Sequence, residues 1–319
     1  MTNRSVRWLL AIVAPLTLLA AACGDDDDDD TSAGDGGGGG TCSEASAPDD
    51  APAVTIGAQD FGESAIVASI YQQCLEAAGY DASIAELGGF RDVELEAFDA
   101  GDINLAPEYA ASMLEFLNDN AGEATPDAAE TTDALNERLT EIDLVAAEPS
   151  DARNTNAFAV TQETADELGL ETISDLADHP NLVLGAPADC ETNAGCLPGL
   201  QETYGIDLSA NFTALEPAAI PAALDAGEID IAVVFSTDAV VVQEDLVILE
   251  DDQGLFKADN IVPVMTTELS EVDGFTDLLN AISAEMTTDG VADLNVAFQV
   301  EREDAEAVAS TFLTDAGLT

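Results

Sequence analysis

The sequence predicts two α/β lobes with a cleft between them. Three observations support this. Apolar runs alternate with helical patterns after residue 53, one helix–glycine–strand unit occurs once in each half, and the chain is long enough for two cores. In order, Val54-Thr55-Ile56-Gly57 reads as a short buried strand. Residues 63–78 place Ile66, Val67, Ile70, Tyr71 and Cys74 on one helical face, and Gly79 stops the helix. Residues 83–87 read as a second strand, 93–100 as a helix and 103–106 as a third strand. That βαβαβ order implies a parallel sheet covered by helices.

A second unit follows. Residues 158–160 are strand-like, 164–168 and 173–176 helical, and 182–185 a strand. A helix over 220–226 feeds a buried strand over 229–235. Apolar runs at 246–249 and 261–264 lead into closing helices near 275–286, 291–298 and 305–312. The repeated unit is Glu96-Ala97-Phe98-Asp99-Ala100-Gly101-Asp102-Ile103-Asn104, echoed by Ala222-Ala223-Leu224-Asp225-Ala226-Gly227-Glu228-Ile229-Asp230. Each is a helix stopped by glycine and feeding a strand. Ligands of open parallel sheets sit at the carboxyl ends of strands, so the segments after each echo are the candidate site.

The chain opens with two cations, Arg4 and Arg7, then an apolar run from Trp8 to Ala22 broken by Pro15. This is the layout of an export signal, too short for a comfortable membrane span. The run closes Leu19-Ala20-Ala21-Ala22-Cys23-Gly24, which resembles the lipobox of bacterial lipoproteins, although Leu19 lies four residues before Cys23 rather than three. Residues 1–22 are therefore expected to be a lipoprotein signal and Cys23 the lipid-attachment site. The alternative is cleavage after Ala-x-Ala, with Cys23 an ordinary thiol. Residues 23–52, with Asp25–Asp30 and Gly36–Gly40, are expected to be a disordered, self-repelling tether. Six consecutive aspartates lack the spacing and turn glycine of a calcium loop.

The chain carries 65 acids against seven bases, a formal charge of −58. Phosphate recognition needs Lys and Arg clusters, so nucleic acid is excluded as a partner. Charge this one-sided repels itself unless salt screens it, and points to a halophilic source with acids spread over the surface. Setting Cys23 aside leaves four cysteines in an oxidising compartment. Cys190 and Cys196 bracket a short loop and read as one disulfide; Cys42 with Cys74 would be the other. Zinc is the rival, but no His lies near and no C-x-x-C spacing occurs.

After the echo strands come Pro107-Glu108-Tyr109 and Phe235-Ser236-Thr237-Asp238. Other short pieces run in order with them. They are Thr55-Ile56-Gly57 with Phe61 and Glu63, Leu87-Gly88-Gly89, and Ile173-Ser174-Asp175-Leu176. Pro198-Gly199-Leu200 before Tyr204-Gly205 and Leu249-Glu250-Asp251-Asp252 complete the set. Together they resemble the substrate-binding proteins of glycine betaine/choline/carnitine (osmoprotectant, OpuAC/ProX-type) ABC importers.

The resemblance implies a two-lobed periplasmic-binding-protein fold (type II-like), with interlobe crossings near 153–156 and 251–255. Lobe 1 would be 53–153 plus 254–319, and lobe 2 154–253. It implies a quaternary ammonium solute as ligand, a permease subunit as partner, and a site on the outer face of the cell membrane. A monomer without cofactor or metal is expected. Such a cation is held by aromatic faces. Tyr109 matches the family's Pro-Glu-Tyr tyrosine, and Phe235 stands where Tyr usually precedes Ser-Thr-Asp. Phe61 and Phe90 are further candidate walls, Phe90 replacing a small hydroxyl residue.

Gln59 stands where some relatives carry a ligand-carboxylate lysine, and the loop between Cys190 and Cys196 lacks the arginine that others place there. Among the bases beyond the signal (Arg91, Arg138, Arg153, Lys257 and Arg302), Arg91 and Arg153 lie nearest the cleft. Glu108, Asn154, Asn156, Ser236, Thr237 and Asp238 complete the candidate set. Alternatives stand beside these readings: Tyr109 as a ring over the following helix, Phe235 as core, Arg91 paired with a carboxylate, and Thr237 or Asp238 as a helix cap. A different small zwitterion is the alternative ligand. An exported hydrolase is the distant alternative, but the single His, His179, sits in an Asp-His-Pro turn, and no Gly-x-Ser-x-Gly elbow, P-loop or zinc helix occurs.

Overall fold

Strand formation follows the apolar runs. In chain order the strands are β1 (Val54–Ala58), β2 (Ala82–Glu86), β3 (Leu105–Tyr109), β4 (Leu144–Ala146) and β5 (Asn156–Thr161). They continue with β6 (Leu184–Ala186), β7 (Phe212–Ala214), β8 (Ile231–Phe235), β9 (Leu246–Ile248) and β10 (Ile261–Thr266). The structure is a computed structural model and describes residues 40–319. The expected export signal, Cys23 and the expected tether as far as residue 39 lie outside the described residues.

Two five-stranded sheets form, one per lobe, in the orders β2-β1-β3-β10-β4 and β7-β6-β8-β5-β9. Each has three parallel strands, as the alternation predicts. Neither sheet is parallel throughout. β10 runs antiparallel to β3 and β4, and β5 antiparallel to β8 and β9. These are the strands through which the chain arrives from the opposite lobe, so each enters its sheet from the other end.

The echo has a structural cause. Gly101 and Gly227 take φ of 74° and 66°, a left-handed conformation that glycine adopts without strain. At each strand's foot a polar side chain accepts an N–H from the neighbouring chain: Asn104 Oδ1 from Thr55 and Asp230 Oδ2 from Val183, both at 2.8 Å. The isoleucine before it packs where the neighbouring strand has glycine. A Cβ on Gly57 would lie 2.7 Å from Ile103 Cδ1, and one on Gly185 2.4 Å from Ile229 Cδ1.

The helix Gly62–Ala77 buries Ile66, Val67, Ile70, Tyr71 and Cys74, the face read from the sequence, against β1 and β3. In the second lobe Phe158, Val160, Leu184 and Ile231 meet Leu200 of the helix Leu197–Tyr204. Burying each such side chain contributes about 1.5–3 kcal/mol. Cys42 bonds to Cys74 and Cys190 to Cys196. The first bond changes the reading of the tether. Residues 41–44 form a helical turn, Cys42 is fully buried, and its N–H donates to Leu318 O at 2.8 Å. The end of the segment expected to be disordered is thus packed on the first lobe.

The two crossings lie side by side as an antiparallel ribbon. Ser150 N–H donates to Ile261 O, Ile261 N–H to Ala152 O and Asn154 N–H to Asp259 O, at 2.9–3.0 Å. Ser236 Oγ accepts Thr155 N–H and donates to Arg153 O. Asp251 clasps the second crossing, accepting the Tyr204 hydroxyl and the N–H groups of Leu255 and Phe256. Gly199 allows close approach there, since a Cβ would lie 1.9 Å from Ala194 O.

Candidate ligand-binding site

Helix starts and strand ends of both lobes converge on a chamber of about 230 Å³. The first lobe supplies Phe61, Gly62 and Glu63 from the start of the helix Gly62–Ala77, with Asn295 and Gln299 from the helix Thr288–Gln299. Asn154 comes from the first crossing, and Phe235, Thr237 and Asp238 follow from the carboxyl end of β8. A second chamber of about 370 Å³ lies in the second lobe and shares Phe235 and Asp238 with the first. Asn156 lines it, beside Pro187 at the end of β6 and the Cys190–Cys196 staple.

Glu63 is the hub of the interlobe chamber. It is 5% exposed, yet both carboxylate oxygens are satisfied. Oε1 accepts the Tyr109 hydroxyl at 2.5 Å and Asn154 Nδ2 at 2.9 Å, and Oε2 accepts Asn295 Nδ2 at 2.7 Å. Burial, then the Glu63 charge, hold the Tyr109 hydroxyl pKa well above its ordinary value, so it stays a proton donor. Asn295 Nδ2 also donates to Thr237 O at 2.8 Å, which ties the first lobe to the second. Nearby, Asp238 is raised from its ordinary value by burial and by Glu63, with the Phe235 N–H opposing the shift. Two carboxylates and several acceptor oxygens make the chamber negative.

The expected rings divide. Phe61 and Phe235 line the chamber, and Phe235 is 53% exposed. Tyr109, only 8% exposed, sits behind them with its ring 6.1 Å from that of Phe61 and its hydroxyl on Glu63. Phe90 is exposed at the start of the helix Arg91–Ala100 and lines neither chamber.

Gln59, Arg91 and Glu108 also stand behind the chamber. Gln59 Nε2 donates to Glu94 Oε2 and Glu108 Oε1, both at 2.9 Å. Arg91 grips Glu108 through two hydrogen bonds of 2.6 and 2.5 Å. Burial works against the Arg91 charge, but Glu108 beside it more than offsets this and raises its pKa. Arg91 is thus occupied by a carboxylate, the alternative noted from the sequence. Arg153 is also turned away, its Nη2 donating to Lys257 O.

Ser236 holds the crossing ribbon. Asp238 precedes the helix Ala239–Gln243, but it accepts the Phe235 N–H rather than capping that helix. Glu63 entered the sequence reading only as a motif residue, and Asn295 and Gln299 did not enter it. Asn295 left one signal: an amide following Val291 and Ala292 on the buried stripe of an amphipathic helix.

With this geometry in hand, the comparisons with known proteins are specific. Residues 52–315 match the family model described as the substrate binding domain of ABC-type glycine betaine transport system. The chain is 26% identical over 280 residues to the glycine betaine-binding protein YehZ of Escherichia coli, covering 83% of this chain and 91% of that one. It is 26% identical over 281 residues to a glycine-betaine-binding protein of Pseudomonas aeruginosa, covering 83% and 88%. Among solved structures, apo YehZ from Escherichia coli superposes with a TM-score of 0.76 at 25% identity, covering 84% of this chain and 100% of that one. A glycine betaine/carnitine/choline ABC transporter structure gives the same TM-score and identity over 83% of this chain and 98% of that one.

Proposed function

The chain belongs to the family of substrate-binding domains of ABC-type glycine betaine transport systems, and from that premise we propose that it captures a quaternary ammonium solute between its lobes and delivers it to a membrane permease. The family is one of extracytoplasmic solute receptors, not enzymes. The observation that carries the ligand class is the chamber that sets Phe61 and Phe235 beside Glu63 and Asp238. A methylated ammonium donates no N–H hydrogen bond. It is held by ring faces, each contributing about 0.5–2 kcal/mol, and by the negative potential of fixed carboxylates.

Glycine betaine, choline and carnitine share this head group. The crossing ribbon is the natural hinge for closure, and Asn295 with Thr237 spans the lobes on one side of the chamber. The closed form then docks on the permease. A lipid at Cys23 would keep the receptor at the membrane surface. One acyl chain holds only marginally, so more than one is expected there.

Calorimetry in high salt against betaine, choline, carnitine, proline betaine and ectoine tests the ligand class. Saturable heat from a quaternary amine supports it, and no heat from any of them with folded protein removes it. Mass spectrometry of the mature amino terminus tests the anchor, which an unmodified thiol would refute.

A further inference from the structure

The quaternary-ammonium reading fixes the head group and leaves the rest of the solute open. Resting on that reading, we propose that the site selects a quaternary ammonium monocation bearing an apolar arm over a compact zwitterion. The head would sit in the interlobe chamber and the arm in the chamber of the second lobe.

Charge is the first argument. Glu63 and Asp238 line the head chamber and Asp189 the other, and among the described residues no Lys, Arg or His lines either one. Two buried acceptors there lack partners as well, Asn154 Oδ1 and Asn295 Oδ1. Asn295 is 3% exposed. Its amide cannot turn to offer a donor, because Nδ2 already serves Glu63 and Thr237 O. Neither of the bases nearest the site lines a chamber: Arg91 pairs with Glu108, and Arg153 Nη2 donates to Lys257 O. A ligand carboxylate would meet the Glu63 and Asp238 charges with no cationic side chain in the lining to offset them, whereas a ligand hydroxyl has acceptors to bond.

Shape is the second argument. The second chamber, of about 370 Å³, has room for about a dozen water-sized groups at about 30 Å³ each, more than a two-carbon stub on a trimethylammonium head fills. Its walls are aliphatic: Pro187, Ile220, Pro221, Val233 and Val240. It meets the head chamber at Phe235 and Asp238, so one molecule with its cation beside Asp238 extends into it. Burying an arm there removes apolar surface of both ligand and protein from water.

Three probes with related heads separate the two arguments in calorimetry on the mature chain: glycine betaine, choline and 3-phenylpropyltrimethylammonium. Choline is expected to bind about tenfold or more tighter than betaine, from the charge argument. The phenylpropyl cation should bind about tenfold tighter again, from the buried arm. Val233→Phe, which narrows the arm chamber, should bring the phenylpropyl cation down to choline's affinity; if that variant does not fold, Val240→Phe makes the same test. Betaine binding as tightly as choline, or an arm that adds no affinity, overturns this proposal and leaves the receptor reading standing. Binding by none of the three overturns the parent reading and this one with it.

Discussion

The Tyr109 hydroxyl donates a hydrogen bond to Glu63 Oε1 at 2.5 Å, from the first lobe at the end of β3. A ring expected to wall the ligand instead fixes the carboxylate that faces it. Tyr109→Phe keeps the packing against Phe61 and removes only this bond. A buried hydrogen bond to a charged group is worth about 1.5–3 kcal/mol. The variant is expected to lose about that much stability in urea unfolding, and to bind solute several-fold more weakly in calorimetry. Unchanged values in both would contradict the hub role of Glu63.

Phe235 is the complementary case. At 53% exposure its ring contributes little to the fold. Phe235→Ala should leave unfolding free energy within about 0.5 kcal/mol of the parent. Solute affinity should fall by about 2- to 30-fold, the loss of one cation–π face. A stability loss as large as that of a core phenylalanine would instead identify Phe235 as packing.

These two residues mark how far the sequence could be read. Echo glycines, the buried face of the helix Gly62–Ala77 and both disulfides were legible because each depends on residues close in sequence or on pairing by count. Strand direction was not, because an apolar run such as 261–264 carries no sign of the end from which its neighbours approach. The edge strand β7 escaped because its three residues are half-buried or exposed and show no alternation. Gln59 stands where some relatives carry a ligand-carboxylate lysine, and its actual partners were hidden because Glu94 and Glu108 lie 35 and 49 positions away. Tyr109 was read by motif position, which fixes the backbone but not what a neighbouring carboxylate does with the hydroxyl.

Glu94 predicts a pH effect. It is fully buried, and burial followed by the Glu108 charge raises its pKa well above the ordinary 4.5. Gln59 faces it as donor, and the Arg91 charge opposes part of the rise. An acid whose folded pKa is raised binds its proton more tightly folded than unfolded. Its contribution is complete below about pH 4.5 and is lost as pH rises through the folded value, at about 1.4 kcal/mol per unit of difference. Glu94→Gln keeps an acceptor for Gln59 and removes the titration. Its thermal midpoint should therefore fall less between pH 5 and pH 8 than the parent's. Equal falls would show that Glu94 does not set this slope.

Salt dependence follows from the same imbalance at larger scale. Against 65 acids, the described residues form two ion pairs, Arg91–Glu108 and the exposed Arg138–Glu123. The remaining carboxylates repel one another across water, over a screening length of about 10 Å at 0.1 M salt and about 3 Å at 1 M. Thermal midpoints are expected to climb by several degrees between about 0.1 and 2 M potassium chloride. A flat series would remove the halophilic reading of the composition.

The Cys42–Cys74 bond has a mechanical meaning. Tension arriving along the polypeptide ahead of Gly40 enters the fold at a covalent joint on the helix Gly62–Ala77, reinforced by the Cys42 N–H bond to Leu318. That joint and both ends of the route belong to one lobe, so the ribbon between residues 150 and 261 carries none of the strain. A load applied to the chain ahead of Gly40 would therefore be borne by the first lobe and would leave the ribbon slack.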